Sequence, residues 1–300
     1  SKSLLRQKKW YKANKVKLKT QSVVHKINRH NKTITVNNGD VVKYDKLVIA
    51  SGAVPKELPS SKGIGNAFVL RQPADANAIR QAANNSDSVV IIGGGYIGLE
   101  VAASLRKKGM DITVIEAGER ILARVASKPL AEYLNKLHED NGVTVITNVG
   151  VEGINQEAGI FNNVTLSDGR VIKGDMLITG IGVYPDSQLA SDAGLETQFD
   201  TGGAILVDND MRTSDEDIFA IGDVAIRREQ TIAVESVHNA QETAAIAAAS
   251  ITGANRPNTQ TPWFWSDQYD AKLQSVGIVP VQDESVYPVS YTHLRAHETE

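Results

Sequence analysis

The chain has 300 residues, enough for about two domains of ordinary size. Its 41% hydrophobic and 22% charged residues suit a folded chain with a sizeable core, and no apolar run reaches the roughly 18 residues of a membrane span. The absence of cysteine excludes disulfides and thiol catalysis within these residues, and a net charge of -3 carries no bulk nucleic-acid signal.

The charge is unevenly placed. Residues 1–50 hold 13 Lys or Arg against Asp40 and Asp45, a net of +11, and the remainder carries -14. A basic end of this kind is a solvated face, a nucleic-acid patch or a dock for an acidic partner. The first residues are basic with no apolar stretch behind them, unlike a signal peptide.

In chain order, residues 1–20 read as a weakly patterned helix or loop. Residues 22–27 and 33–36 read as strands, with a turn at Asn37-Asn38-Gly39-Asp40 leading to a strand over 41–44. A short apolar strand spans 46–50. A loop with Pro55 and Pro59 leads to a helix over 73–83. Then strand and helix alternate: strand 88–92, helix 96–108, strand 111–115, helix 130–141, strand 143–147. Hairpin-like strands at 159–166 and 171–173 flank Ser167-Asp168-Gly169, and 176–180 is a buried strand. This alternation predicts a parallel sheet covered by helices. Strands follow at 204–207 and 218–221, then an Ala-rich helix over 236–252, a linker over 255–261, and aromatic-rich strand character over 263–278. Residues 288–300 have no apolar period, resemble a translated adapter sequence, and are expected to be foreign to the fold. Their His293 and His297 have the spacing of a ligand pair but no third ligand, so no metal site is expected.

The strongest signal is Val89-Val90-Ile91-Ile92-Gly93-Gly94-Gly95-Tyr96-Ile97-Gly98-Leu99-Glu100, a G-x-G-x-x-G after an apolar strand and opening a helix. Gly93 permits the tight turn, Gly95 lets the backbone approach a pyrophosphate, and Gly98 lets helix and strand pack closely. The helix N-terminus offers free N–H groups to the anion. Glu116 closes the next strand, where a carboxylate accepts from ribose hydroxyls and repels a 2′-phosphate. NAD is therefore expected over NADP, with Arg124 available to the adenosine side.

The second signal runs Thr213-Ser214-Asp215-Glu216-Asp217-Ile218-Phe219-Ala220-Ile221-Gly222-Asp223. On physical grounds alone, Asp223 is either a ligand-facing carboxylate at a strand's C-terminal edge or a capping residue in a turn. The segment resembles the second FAD signature of flavoproteins with two dinucleotide-binding domains. Together with Val234-Glu235-Ser236-Val237-His238-Asn239-Ala240 and Pro262-Trp263-Phe264-Trp265-Ser266-Asp267-Gln268-Tyr269-Asp270, it is similar to ferredoxin reductases of the putidaredoxin-reductase and rhodocoxin-reductase type, over about residues 1–278.

That resemblance implies an α/β fold of two nested Rossmann-like dinucleotide-binding domains with a truncated C-terminal α+β interface domain. The implied division is a partial FAD-binding domain over 1–75 and 183–256, an NAD-binding domain over 76–182 and an interface domain over 257–287. The family opens with a strand–GxGxxG–helix for the FAD pyrophosphate, and this sequence begins after it, so a piece of a longer enzyme is expected. The resemblance places Lys2 beside the flavin, Arg71 on its pyrophosphate side, Asp223 on its ribityl chain, Val237 and Trp265 at its ring. Val24 matches a residue near the adenine, a role no better supported by its residue type than plain core packing. Trp263 and Trp265 would share a strand face. Gly93, Gly95, Gly98, Glu100, Glu116, Arg124 and Gly182 fall at NAD-side positions, with Glu100 where nicotinamide meets flavin.

The implied activity is hydride transfer from NADH to FAD and onward electron transfer to an acidic iron–sulfur ferredoxin serving a P450 or ring-hydroxylating dioxygenase. A cytoplasmic monomer or weak dimer is expected, with no membrane or nucleic-acid partner. Two alternatives differ in recognisable ways. NADH oxidases and CoA-disulfide reductases carry a redox cysteine at the position that corresponds to Lys2 in this chain. A flavoprotein like apoptosis-inducing factor calls for a basic surface outside the flavin face, whereas residues 51–300 are acidic overall.

Overall fold

The structure, a computed structural model, describes residues 6–199, 203–254 and 261–277. Lys2, the His293/His297 pair, the 288–300 tail and all but the last residue of the 255–261 linker lie outside the described residues. The chain forms two compact units. One comprises Ser1–Gly52, Pro185–Glu235 and Ala240–Asn258, and the other Ala53–Tyr184, Ser236–Asn239 and Thr259–Glu300.

The second unit is built on a five-stranded sheet in the order Ala67–Val69, Met176–Thr179, Ser88–Ile92, Asp111–Ile115, Val143–Ile146. All its pairings are parallel. The central strands are apolar at nearly every position because both faces are covered. Side chains alternate across the sheet. Val89, Ile91, Ile112, Val114, Met176 and Ile178 pack with Leu99, Ala102 and Leu105 of helix Tyr96–Arg106 and with Ala131 and Leu134 of helix Lys128–Asp140. On the other face, Val90, Ile92, Ile115 and Leu177 meet Phe161, Val164 and Leu166 of an antiparallel sheet, Val151–Glu157, Ile160–Leu166 and Val171–Lys173. The parallel α/β arrangement expected from the alternation is therefore present. The sequence-based domain boundary at residue 75 and the unit boundary at residue 52 differ, because Ala67–Val69 is the edge strand of this sheet.

A hairpin of Trp263–Gln268 and Ala271–Val276 completes the second unit, paired from Trp263↔Val276 to Gln268↔Ala271. Its inward residues are Phe264, Ser266 and Gln268, and its outward ones Trp263, Trp265 and Asp267. Phe264 meets Tyr96 edge-on at 4.7 Å, and Leu273 joins the helix-side core.

The first unit has an antiparallel sheet of Val24–Asn28, Thr33–Val36 and Val41–Lys43. Its second turn uses Gly39 at φ +85°, the left-handed geometry that Asn-Gly hairpins require. Leu47–Ile49 pairs in parallel with Ile218–Ala220, and Ala204–Val207 with Ala225–Arg227. Helix Val237–Thr252 contributes Ile246 and Ala247 to a core with Ile205, Met211 and Phe219. The acidic run 215–217 neutralises part of the basic N-terminal block. Arg29 Nε bonds Asp215 at 2.8 Å, and Lys32 and Lys46 both pair with Asp217. Of the other described cations of that block, Lys19 pairs with Asp40, and Lys8, Lys9, Lys12, Lys15 and Lys17 fall within ten residues of one another, all exposed. No described helix is long and apolar enough to cross a membrane.

Candidate functional site

The glycine loop joins Ser88–Ile92 to the helix that starts at Tyr96. Gly93 has φ +110°, and a Cβ on it would stand 2.4 Å from the Gly180 carbonyl oxygen. A Cβ on Gly98 would lie 2.2 Å from the Gly93 oxygen, so helix and loop touch backbone to backbone. Gly95 is different. Its φ is -80°, and a Cβ there meets only Gly180 O, at 4.0 Å. The protein thus needs no glycine at 95 for its own packing, and the space a side chain would fill is the space a pyrophosphate needs. The first-turn N–H groups of this helix have no acceptor within the helix and carry partial positive charge toward the same space. These residues fit a dinucleotide phosphate.

Glu116 follows the adjacent strand and is half-buried. Its carboxylate accepts from Gly94 N–H and from Gly118 N–H, both at 2.7 Å. Leu122 N–H bonds Gly94 O at 3.0 Å and holds the following loop over the glycines. Glu116 therefore braces the loop as well as presenting charge, a double role its position in the sequence does not reveal. Each carboxylate oxygen keeps a lone pair for a further donor. Arg124 is exposed, with its guanidinium 3.6 Å from where a Cβ of Gly182 (φ +102°) would lie. Beside Gly182, Lys56 donates its backbone N–H to Gly182 O and sets its ammonium over the Tyr184 ring.

Glu100 sits one turn into the helix. Ser266 Oγ donates to its Oε1 at 2.6 Å. Burial pushes the Glu100 carboxyl above its ordinary range, with Asp267 adding to the rise and the Ser266 hydroxyl opposing it. On the outward face of the hairpin, the Trp263 and Trp265 rings meet at a tilt of 39° with centres 5.4 Å apart, and the His238 ring centre lies 5.5 Å from that of Trp263. Trp265 is 46% exposed and Val237 54%, both large for apolar side chains and both available to a flat ligand. Arg71 is exposed just before helix Pro73–Ala82, where the Asp75 carboxylate accepts from the Arg71 and Gln72 N–H groups.

In the first unit, Asp223 lies in the short 3₁₀ turn Gly222–Val224 after strand Ile218–Ala220. Gly222 has φ +70°; its N–H bonds Thr243 Oγ1 at 3.0 Å, and a Cβ would stand 3.6 Å from Ala240. The turn is thus pressed onto helix Val237–Thr252, which fixes where the half-buried Asp223 points. Val24 is partly buried at the start of its strand, opposite Val36. Sequence reasoning does not single out Ser266, Gln268 or His138. The only signal is a fully buried polar residue at alternate positions of an aromatic strand and at a core-facing helix position.

Residues 3–244 match the family model for pyridine nucleotide-disulphide oxidoreductases. The chain belongs to that family. Residues 263–294 match the reductase C-terminal model. Among relatives of this pyridine nucleotide-disulphide oxidoreductase, a probable ferredoxin reductase of Castellaniella defragrans is 40% identical over 275 residues, covering 89% of this chain and 66% of the relative. Rhodocoxin reductase of Rhodococcus erythropolis is 36% identical, covering 94% of this chain and 66% of its own length. The chain thus spans just under two thirds of these curated relatives. Putidaredoxin reductase, solved in covalent complex with putidaredoxin, superposes with a TM-score of 0.86 at 36% identity, over 91% of this chain and 67% of that one. The expected resemblance and the expected α/β fold are both met, and of the expected α+β interface domain the described residues show a β-hairpin.

Proposed function

We propose that the chain is the greater part of an FAD-dependent NADH:ferredoxin oxidoreductase. The observation that carries the reading is the glycine loop: Gly93 and Gly98 are demanded by backbone packing, whereas Gly95 is not, and leaves open space that suits a dinucleotide phosphate. The similarity to ferredoxin reductases over most of the chain supports the acceptor. The lack of cysteine removes thiol–disulfide exchange from these residues.

In this reading Gly93, Gly95, Gly98 and the first helical turn hold the NADH pyrophosphate, Glu116 takes the adenosine ribose hydroxyls, and Arg124 and Gly182 border the same cofactor. Arg71 and Asp223 hold the pyrophosphate and ribityl parts of FAD. Val24 borders its adenine, Val237 supplies a backbone contact to its ring, and Trp265 lies against that ring. FAD accepts a hydride and releases electrons singly, chemistry no side chain here supplies. Lys2 adds positive charge beside the flavin, and Glu100 fixes the nicotinamide end. The 1–75/183–256 and 76–182 segments act as the FAD and NAD parts, with 257–287 as the start of an interface domain. The exposed lysines at 8, 9, 12, 15 and 17 face an acidic ferredoxin. An enzyme that draws on NADH to feed a P450 or dioxygenase belongs in the cytoplasm.

The test offers the full-length enzyme NADH with a ferredoxin, a low-molecular-weight disulfide or hydrogen peroxide as acceptor. Fastest turnover with the ferredoxin is expected, and faster reduction of disulfide or peroxide overturns the reading.

A further inference from the structure

A line of polar side chains runs through the second unit beneath the aromatic hairpin. Ser266, Gln268 and His138 are each fully buried. Ser266 Oγ lies 2.6 Å from Glu100 Oε1, Gln268 Nε2 lies 3.1 Å from Ser266 Oγ, and Gln268 Oε1 lies 2.8 Å from His138 Nε2. A longer contact, 3.4 Å, links His138 Nδ1 to the Tyr269 hydroxyl, with the two rings edge-on at 5.2 Å. The line joins helix Tyr96–Arg106, the hairpin and helix Lys128–Asp140.

The donors and acceptors in this line can be assigned by elimination. An ionised Glu100 only accepts, so the single Ser266 proton goes to it. Ser266 then has only lone pairs for Gln268, which must present its NH₂ there and its carbonyl oxygen to His138. That oxygen demands a proton on His138 Nε2, which leaves Nδ1 as an acceptor for Tyr269. Every bond points the same way and ends on the Glu100 carboxylate. Bonds aligned head to tail in a dry interior polarise one another. Protonating Glu100 adds an O–H donor at that end, which Ser266 Oγ can accept, and so permits the reverse order, with Gln268 donating to Nε2 and the His138 proton on Nδ1.

We propose that Ser266, Gln268 and His138 are positioning residues that hold the Glu100 carboxylate ionised and fixed in direction, so that the charge on Glu100 and the tautomer of His138 are linked. What Glu100 does for the nicotinamide rests on the function proposed above, whereas the linkage itself does not. The groups facing the line are few. Asp267 stands beside Glu100, Tyr96 lies one turn earlier on its helix, and Arg106 and Lys107 border Tyr269. Burial holds the His138 imidazole below its ordinary value, so His138 stays neutral while Glu100 is charged.

The experiment uses the full-length holoenzyme with nitrogen-15-labelled histidine. The wild type is expected to show neutral His138 protonated at Nε2. In Ser266→Ala, which touches neither ring nitrogen, a mixture of tautomers is expected, and Ser266→Thr restores the single form. In the same variants the rate of flavin reduction at saturating NADH falls about tenfold, the effect of losing one bond to a charged group, while the NADH dissociation constant stays within about twofold. Wild-type His138 protonated at Nδ1, or a tautomer indifferent to Ser266→Ala, overturns the linkage. A tautomer that responds while flavin reduction does not overturns the positioning role, and traces that failure to the place given to Glu100 rather than to the hydrogen-bonded line.

Discussion

Replacing Glu116 with alanine should loosen the glycine loop and relax cofactor choice together. The carboxylate accepts two backbone N–H bonds of 2.7 Å, from Gly94 and Gly118. Bonds to a charged acceptor contribute about 1.5–3 kcal/mol each when well buried. Glu116 is half-buried, so about 1 kcal/mol each, or about 2 kcal/mol for the pair, is a fair expectation. An opening free energy lowered by that amount speeds local exchange about thirtyfold. The assay is amide hydrogen exchange of the peptides around residues 93–98 and 116–120, paired with NADH and NADPH efficiencies of the full-length enzyme. Glu116→Ala should accelerate exchange in both peptides and lower the preference for NADH, since the charge that repels a 2′-phosphate is gone. Unchanged exchange would refute the bracing role, and an unchanged NADH/NADPH ratio would refute the ribose assignment.

Four further outcomes are expected. Gly98→Ala drives a Cβ to within 2.2 Å of a backbone oxygen and should cost about 3 kcal/mol in denaturant titrations. Gly95→Ala should leave stability unchanged and weaken NADH binding more than tenfold. Thr179 Oγ1 is buried without a hydrogen-bond partner, so Thr179→Val should stabilise the protein by about 1 kcal/mol, measured the same way. The Lys32 and Lys46 ammoniums beside Asp217 hold its carboxyl below the usual carboxylate range. A lowered folded value gives stability that is present above the unfolded value of about 4 and lost as pH falls through the folded one. Asp217→Asn should therefore flatten the acid limb of a stability–pH profile below about pH 4, and a limb of unchanged slope would contradict the pairing.

Features set by local chemistry are legible in the sequence. The glycine loop, its flanking strands and the Asn38-Gly39 turn announce themselves by residue type and spacing, even though Gly93 owes its place to the distant Gly180 backbone. The shortest strands are not legible. Ala53–Pro55 and Val183–Pro185 exist because they pair with each other across a long stretch of chain, and Ala67–Val69 because Met176–Thr179 lies beside it. Val151–Glu157 escapes a reading by pattern because Gly153, Asn155, Gln156 and Glu157 give it no apolar alternation, and its pairing with Ile160–Leu166 slips register twice. At the site, the glycines and Glu116 are readable from spacing, but the bonds from Glu116 to Gly94 and Gly118 are not. The basic N-terminal block looks uniform in sequence, yet Arg29, Lys32 and Lys46 find acidic partners about 170–190 residues away. His138 hides inside an ordinary amphipathic helix because its partner, Gln268, lies 130 residues on.

The central claim is that electrons pass from NADH to a ferredoxin docked by charge, and stopped-flow measurement of both steps in the full-length enzyme across a salt series tests it most directly. Flavin reduction by NADH, followed at saturation, should be indifferent to salt. Ferredoxin reduction should slow steeply, because the screening length falls from about 10 Å at 0.1 M to about 3 Å at 1 M. Reversing the charge of Lys8, Lys9 and Lys12 should reproduce the high-salt rate, and reversing Lys46, already paired with Asp217, should not. Ferredoxin reduction that ignores both salt and these lysines would return the basic segment to a solvated face, and a ferredoxin that accepts no electrons at any salt would contradict the account as a whole.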